Sequence, residues 1–221
     1  MNYVNLLMPE KVELDESSFS ANFGRFIVQP LERGFGVTLG NVFRRVLLSS
    51  LQGAAITAIR INGVHHEFST VKGVKEDVVE MILNLKEVRI KLLNKRPDKV
   101  TLHLKGPMEF KAGHIGENTT DFEILNPEHH IATLNKDANF EMEIRVGKGR
   151  GYKPLEASIG LIPIDSIFSP IRNVHYHVEN VRVGQRTDYE KLVLEIQTDG
   201  SITPDDALTY AGKIIKDHVQ L

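Results

Sequence analysis

The stretch "LERGFGVTLGNVFRRVLLSSL", residues 31–51, decides how the chain folds and raises the question of what its helix binds. The pattern predicts a helix from Gly34 to Ser50. At about 100° per residue, its apolar side chains spread over roughly 240° of the helix circumference, whereas a surface helix on one core needs a stripe of about 100°. The apolar side of this helix is therefore wider than one core covers.

A narrow polar stripe completes the same helix. It consists of Thr38, Asn41, Arg45 and Ser49, with Arg45 at its centre. Arg45 faces away from the apolar arc, which leaves its charge available to a partner. Arg44 lies on the apolar side and needs an acceptor within the protein or at an interface. The two neighbouring arginines are thus predicted to have different roles.

A second wide apolar helix is predicted near the end of the sequence, from Pro204 to Leu221. Thr203 serves as its cap, proline occupies the first helical position and two acids stand in the first turn. Its apolar residues cover about half of the cylinder. Two such helices indicate packing between chains, and burial of each helix at the centre of a single domain explains the pattern equally well.

Strands account for most of the remaining pattern. Asn62-Gly63 is typical of a hairpin turn. A further helix is expected within 74–88, behind Glu76 and Asp77, since acids suit a helix N-terminus. Apolar residues in alternation or in short runs predict strands at 24–31, 54–64, 100–105, 141–146 and 191–198.

Composition excludes several classes of protein. The 221 residues include 27 basic and 29 acidic side chains, so the formal charge of −2 lacks the basic excess of a dedicated nucleic-acid binder. The absence of cysteine excludes disulfides and thiolate chemistry and fits a reducing cytoplasm. Neither a leader segment nor a run of about 18 apolar residues is evident, so a soluble, intracellular protein is expected.

Two glycine-rich motifs raise the question of an anion site. Gly34-x-Gly36-x-x-x-Gly40 has neither the dinucleotide spacing nor the Lys-Ser or Lys-Thr pair of a P-loop, so a tight turn and close helix packing are favoured. The motif "GKGRGY", residues 147–152, could form an anion nest, but it lies between predicted strands with no helix after it. We interpret it as a structural loop whose basic residues are available to a partner.

The main chemical alternative is a metal site at His175, His177 and Glu179. Alternation along a strand puts all three on one face, where they are plausible zinc ligands. The remaining histidines are scattered along the chain, and surface histidines are the simpler interpretation. A histidine-carboxylate metal hydrolase nevertheless stays open at this point.

Four long motifs, in the same order, resemble those of one family. They are "PLERGFGVTLGNVFRRVLLSSL" (30–51), "INGVHHEFSTVKGVKEDVVEMILNLKEVRIKL" (61–92), "GKGRGY" (147–152) and "VGQRTDYEKLVLEIQTDGSITPDDAL" (183–208). Together they closely resemble the N-terminal domain of bacterial RNA polymerase alpha subunits over nearly the whole chain. Residues 106–140 match only loosely. The segment after Tyr152 lacks the longer acidic surface loop that many family members carry there.

The resemblance implies an α+β fold in two parts. A dimerisation and assembly subdomain, made of a sheet plus two helices, is expected to comprise residues 1–52 and 175–221. An inserted, mainly β subdomain is expected to comprise residues 53–174. The C-terminal DNA-binding domain of the family is expected to be absent from this chain.

The resemblance also implies a non-catalytic role in DNA-templated transcription. The chain is expected to dimerise with a second alpha subunit and to scaffold the beta and beta-prime subunits, in a holoenzyme with omega and sigma. Contact with DNA is expected only indirectly, with no membrane, and the location is cytoplasmic, associated with the nucleoid through the polymerase. No cofactor is expected in this chain, because magnesium and zinc are expected only in the large subunits.

Matching positions assign residues to two surfaces, and none to catalysis or metal binding. A free-standing dimeric interaction module remains as an alternative beside the metal hydrolase. Contacts with the large subunits are expected at Arg33, Thr38, Asn41, Arg45, Leu48, Lys86, Gln185, Arg186 and Asp188. The dimer interface is expected at Leu39, Phe43, Val46, Leu47, Ser50, Leu208, Ala211, Ile215 and Val219.

Overall fold

The computed structural model describes residues 6–94, 99–154 and 160–220. The chain forms two compact units, one of residues 1–51 and 170–221 and the other of residues 52–169. The second boundary precedes the predicted one at 174/175, because the strand that begins at Ile171 pairs with Thr198 in the first unit. Residues 1–5, the segment 155–159 after the Arg-Gly-Tyr motif and the predicted helix end at Leu221 lie outside the described residues.

The described residues contain four helices and fourteen strands. The helices are α1 (Phe35–Ser50), α2 (Val78–Lys86), α3 (Gly113–Gly116) and α4 (Pro204–Val219). The strands are β1 (Val12–Leu14), β2 (Phe23–Leu31), β3 (Gln52–Ile61), β4 (Ile90–Leu92), β5 (Lys99–Lys105), β6 (Met108–Lys111), β7 (Phe122–Ile124), β8 (His130–Leu134), β9 (Asn139–Arg150), β10 (Tyr152–Lys153), β11 (Ile162–Pro163), β12 (Ser166–Ile167), β13 (Ile171–Val183) and β14 (Arg186–Thr198). The mixture confirms the α+β class.

The first unit packs two helices on one antiparallel sheet. Its strand order is β1-β2-β14-β13, so the long β13–β14 hairpin pairs with β2 and leaves β13 at an edge. Helix α1 lies on β13 and β14, and α4 packs against α1, β14 and β2. Apolar side chains from both layers close the core, which stabilises the unit by roughly 1.5–3 kcal/mol for each large side chain fully buried. These residues are Phe26, Leu47, Leu51, Ile171, Val174, Leu194, Ile196, Ala207 and Ala211.

The second unit is built mainly from strands. Its six-stranded sheet has the order β5-β9-β3-β4-β7, with β11 also pairing with β3, and two small sheets join β6 to β8 and β10 to β12. Alternation in β5 buries Val100, Leu102 and Leu104 and exposes the residues between them, as the sequence predicts. Helix α2 packs on β3 and β8. The predicted mainly β character of this part of the chain therefore matches the described elements.

Local sequence explains where α2 begins. The Asp77 side chain accepts a hydrogen bond from the Glu80 amide at 2.7 Å, and the Glu80 side chain accepts one from the Asp77 amide, which makes a capping box. The helix therefore starts at Val78 within the predicted range. Glu76, expected at this N-terminus, instead accepts hydrogen bonds from Thr133.

Two local predictions are wrong. Asn62-Gly63 forms a turn, but β3 pairs with β9, β4 and β11, and among the described residues no strand follows directly from that turn to pair with β3. The motif at 147–152 is not a loop, because residues up to Arg150 continue β9 and only Gly151 turns, with φ of 58°. In both cases strand pairing decides the conformation more than the local residue type does. The predicted start of α4 is confirmed, because Thr203 occupies the N-cap position before Pro204, although its side chain makes no capping hydrogen bond.

Candidate functional site

A carboxylate from a distant strand closes the N-terminus of α1. Gly34 has φ of 90°, a left-handed conformation that favours glycine. Glu190 on β14 accepts hydrogen bonds from the amides of Gly34 and Gly36, each at 2.9 Å, and places its negative charge at the positive end of the helix dipole. The position that a phosphate would take is thus filled by the protein itself, which argues against the phosphate-loop interpretation.

The next two glycines allow α1 to lie very close to β13. A Cβ atom at Gly36 would come within 2.8 Å of Val178, and one at Gly40 within 2.4 Å of the Tyr176 ring. Such distances are well below van der Waals contact, so the helix reaches this position only because both residues lack a side chain. The tight turn and the close packing predicted from the motif are both confirmed.

The packing of α1 separates the two predicted surfaces around the helix. Gly36, Gly40 and Leu47 are buried and mark the side that faces the sheet. At about 100° per residue, Leu39, Phe43, Val46 and Ser50 fall together on one flank of that line. Thr38, Asn41, Arg45 and Leu48 fall on the outer side and the opposite flank. One helix therefore presents the predicted dimer residues and the predicted large-subunit residues in different directions.

Helix α4 repeats this arrangement. Ala207 and Ala211 face the core, whereas Leu208, Ile215 and Val219 lie on one flank at helical spacing. Val219 is 71% exposed. We call the side chains of Leu39, Phe43 and Val46 on α1 and of Leu208, Ile215 and Val219 on α4 the helical flank.

The helical flank borders a groove of about 520 Å³. Leu39 and Phe43 line it from α1, Leu208 from α4, and Val12 and Leu14 from the edge strand β1. Almost all of its surface is apolar. An apolar groove beside two incompletely covered helices is typical of a surface that binds another protein.

Two residues predicted for the dimer interface do not belong to the helical flank. Leu47 and Ala211 have no exposed surface, because both pack in the core of the first unit. Part of the apolar arc of each helix therefore packs in the core of the first unit, and the rest forms the helical flank. The helical spacing of apolar residues does not show where one part ends and the other begins.

The two arginines of α1 have different surroundings. Arg44 donates from Nε to the carbonyl oxygen of Val174 on β13 at 3.3 Å, so it finds an acceptor within the unit, as predicted. Arg45 is exposed, and its guanidinium makes no hydrogen bond or ion pair with any residue that the structure describes. Thr38 donates to the Gly34 carbonyl at 3.0 Å and Asn41 is exposed beside it.

A charged cluster lies where the chain enters β14. The Arg186 guanidinium binds both carboxylate oxygens of Asp188, at 3.0 and 2.8 Å, and lies over the Tyr189 ring at 4.6 Å from its centre. This contact, with a smaller contribution from Arg33, lowers the pKa of Asp188. Arg33 therefore acts electrostatically on Asp188, and Gln185 is exposed next to Arg186.

Lys86 is held in an ion pair within the second unit. Its Nζ lies 2.7 Å from Oδ2 of Asp165, and the hydroxyl of Tyr152 donates to the same oxygen at 2.9 Å. The hydrogen bond from Lys86 is the main cause that lowers the pKa of Asp165. The lysine predicted to meet a partner is therefore already paired, and the pair remains partly exposed.

The described residues do not favour the metal site. His177 Nε2 lies 3.0 Å from Glu179 Oε1, while the other carboxylate oxygen of Glu179 pairs with Lys191. Within residues 6–94, 99–154 and 160–220, no group of three or more side chains is placed to hold a metal ion. The lysine competes for the carboxylate that zinc would need.

Comparison with known proteins identifies the family. Residues 59–169 match the family described as the RNA polymerase Rpb3/RpoA insert domain. The DNA-directed RNA polymerase subunit alpha of Chloroherpeton thalassium is 62% identical over 97% of this chain, and that of Chlorobium chlorochromatii is 60% identical over the same share. In both cases the alignment covers 67% of the relative.

The chain belongs to the RNA polymerase alpha subunit family. The resemblance found in the sequence is thereby confirmed, and so is the predicted function as an alpha subunit of DNA-directed RNA polymerase. The same subunit of Prosthecochloris aestuarii is 57% identical over 97% of the chain. No helix within the described ranges is both long and apolar enough to cross a membrane.

The sequence predictions missed Glu190 and the strand residues of the groove. Glu190 lies more than 150 positions from the helix it caps, and nothing near Gly34 indicates a distant carboxylate. Val12 and Leu14 stand in a three-residue strand that is too short to give a clear alternation. A helix start without a Ser, Thr, Asp or Asn cap was the available signal that the cap comes from elsewhere.

Proposed function

We propose that this chain is a non-catalytic subunit of DNA-directed RNA polymerase that dimerises and then scaffolds the beta and beta-prime subunits. The observation that carries this proposal is the pair of surfaces on α1. Its helical flank is apolar and borders a groove, while its outer side presents Arg45, which has no partner among the described residues. One helix can therefore serve a second alpha subunit and a different partner at the same time.

The helical flank supports dimerisation by a two-fold contact. In such a contact the same patch meets itself, so the apolar residues of α1 and α4 from one chain pack on those of its partner. Obligate dimer interfaces resemble a protein core cut in half, which fits the apolar lining of the groove. The chain brings hydrophobic area rather than charge to this contact.

The outer side of α1 supports binding of a large subunit. Arg45 is free of partners within the described residues, and arginine is enriched among the residues that dominate binding energy. Thr38 and Asn41 add exposed hydrogen-bonding groups on the same side. The cluster of Arg33, Arg186 and Asp188 offers a second polar surface, which we assign to the other large subunit.

Catalysis and cofactors belong, in this proposal, to the rest of the enzyme. The chain alone neither joins nucleotides nor carries a metal, and magnesium and zinc are held by the large subunits. Omega and sigma complete the holoenzyme, DNA is contacted indirectly, and the location is the cytoplasm. Incubation of the purified chain with template and nucleotides should give no RNA, and metal analysis should give far less than one zinc per chain.

Co-expression of the tagged chain with beta and beta-prime subunits tests the proposal. The expected result is one complex that holds two alpha chains and both large subunits after size-exclusion chromatography. Recovery of an alpha dimer that binds neither large subunit would contradict the proposal and would favour a free-standing interaction module. RNA synthesis by the chain alone would contradict its non-catalytic role.

A further inference from the structure

His130, at the start of β8, bridges two carboxylates from different parts of the second unit. Its Nε2 lies 3.0 Å from Oε1 of Glu76, in the segment before α2, and its Nδ1 lies 2.9 Å from Oε1 of Glu109 on β6. Both ring nitrogens are thus occupied by carboxylate oxygens. The bridge connects the segment before α2 with the two-stranded sheet of β6 and β8.

This geometry requires the charged form of histidine. An ionised carboxylate only accepts hydrogen bonds, and a neutral imidazole has one donor nitrogen and one acceptor nitrogen. Both contacts can be hydrogen bonds only when His130 is an imidazolium, in which each nitrogen carries a proton. Loss of one proton would leave a nitrogen lone pair directed at a carboxylate oxygen.

We propose that His130 is a protonation-dependent latch: while charged it holds Glu76 and Glu109 on β6 together, and on deprotonation it releases Glu109 while keeping Glu76. The neutral ring keeps its proton on Nε2, because the Glu76 carboxylate is the better fixed acceptor. Glu76 is largely buried, with a side chain 13% exposed, and accepts from the amide and the hydroxyl of Thr133 at 2.7 and 3.1 Å. The Glu109 side chain is 51% exposed.

A neighbouring cation can receive the released carboxylate. Lys111 Nζ lies 3.8 Å from Oε2 of Glu109 and 2.8 Å from Glu128, at the other end of the same cluster. Glu76 and Glu109 are the charged groups that act on His130 within the described residues, and His114 acts on Glu128 beyond them. His129 takes no part, because its Nε2 contacts the Asn84 carbonyl on α2.

The electrostatics set the pH range of the latch. The hydrogen bonds to Glu76 and then to Glu109 raise the pKa of His130 above its ordinary value of 6.5, so His130 stays charged up to that pH and releases Glu109 as pH rises through the raised pKa. Burial opposes ionisation of Glu76, but the hydrogen bonds from Thr133 and His130 outweigh it and lower its pKa below 4.5. The Glu76 contact is lost only as pH falls through that lowered value.

An NMR titration of the His130 ring in the full chain tests the latch. The ring nitrogen shifts report both the pKa and which nitrogen keeps its proton. We expect a pKa above 6.5 and, at higher pH, the tautomer with the proton on Nε2. A pKa at or below 6.5, or a neutral ring with its proton on Nδ1, would overturn the proposal.

Two glutamine variants and a control identify the contacts. Glu109→Gln should lower the pKa of His130 and leave the Nε2 tautomer in place, because the Glu76 contact remains. Glu76→Gln should lower the pKa further and remove the tautomer preference. Glu123→Gln, an exposed position on β7, should change neither. If Glu109→Gln, whose exposed side chain is not needed for folding, titrates like the Glu123→Gln control, His130 is no latch.

Discussion

Arg44 and Arg45 are adjacent in sequence but have different roles. Arg44 is held to Val174 within the first unit, whereas Arg45 projects from the outer side of α1 without a partner in the described residues. A lost hydrogen bond costs about 0.5–1.5 kcal/mol, whereas removal of a buried interface anchor costs about 2 kcal/mol or more in binding. Removal of the Arg44 side chain should therefore affect the stability of the chain, whereas removal of the Arg45 side chain should affect binding of a partner.

Arg45→Ala should leave the melting temperature of the chain nearly unchanged and weaken its capture of the beta subunit by about 2 kcal/mol or more. Arg44→Ala is the matched control, since it should lower the melting temperature modestly, by the equivalent of about 1 kcal/mol. Thermal melts and pull-downs of each variant measure both effects. Early melting of Arg45→Ala with normal capture of beta would show that the outer side of α1 has been assigned wrongly.

Gly40 tests the close approach of α1 to β13. A Cβ atom there would lie 2.4 Å from Cδ2 and 2.8 Å from Cγ of Tyr176, and rotation of the ring about its own axis does not move Cγ. Gly40→Ala should therefore destabilise the chain by about 1–3 kcal/mol, because the helix must move away from the sheet.

Gly212→Ala provides the control for Gly40→Ala. Gly212 lies within α4, and the nearest atom to its added Cβ is in Phe43 at 3.9 Å, which is ordinary contact. Alanine is a better helix former than glycine, so this variant should gain up to about 1 kcal/mol. Equal melting temperatures for the two variants would contradict the packing described for α1.

At the scale of elements, α1 depends on a cap supplied by β14. Glu190→Ala should destabilise the chain by about 1–2 kcal/mol, since two amides at the N-terminus lose their acceptor and the helix dipole loses its counter-charge. Glu190→Gln should cost less, because an amide oxygen still accepts one hydrogen bond. Glu16→Ala removes an exposed carboxylate and should have little effect on the thermal melt. A Glu190→Ala chain as stable as Glu16→Ala would show that the cap is unimportant.

The same element shows what sequence patterns can and cannot predict. Helical spacing located α1, α2 and α4, and glycine spacing indicated the turn and the close packing before β13 was known. Glu190 could not be predicted, because its contact depends on how the sheet pairs strands that are far apart in the chain. The motif at 147–152 was misinterpreted for a related reason, since pairing with β3 holds Gly147 and Gly149 in a strand.

Besides the pairing of distant strands, the sequence does not show which side of a helix is buried against the sheet. The wide apolar arc of α1 was correctly taken as more than one core requires, but Leu47 proved to face the sheet while Leu39 and Val46 lie on the helical flank. A periodicity count measures the width of an apolar arc and not the direction of the sheet that covers part of it. Short elements such as α3 were missed because four residues carry no periodicity.

At the scale of the whole molecule, each of the two units has a hydrophobic core of its own. The first unit carries an apolar surface that the described residues leave partly uncovered, on the helical flank and its groove. A side chain at the centre of this flank should control association without a large effect on folding. Ile215 is half-buried on α4, and Lys213 is exposed on nearly the opposite side of the same helix, since two residues turn it by about 200°.

Ile215→Asp should convert the chain to a monomer, because the contact would bury an unpaired charge at a cost of several kcal/mol. Lys213→Glu makes a change of charge on the same helix outside the flank and should leave association unchanged. Size-exclusion chromatography with light scattering compares the two. Dissociation of both variants, or of Lys213→Glu alone, would place the interface elsewhere on α4.

Sedimentation equilibrium of the unmodified chain at micromolar concentration tests the central claim most directly. The account predicts a stable species of twice the 24.9 kDa chain mass, because the helical flank and its groove are expected to meet the same surface of a second chain. A species of 24.9 kDa that persists as the concentration rises would contradict it.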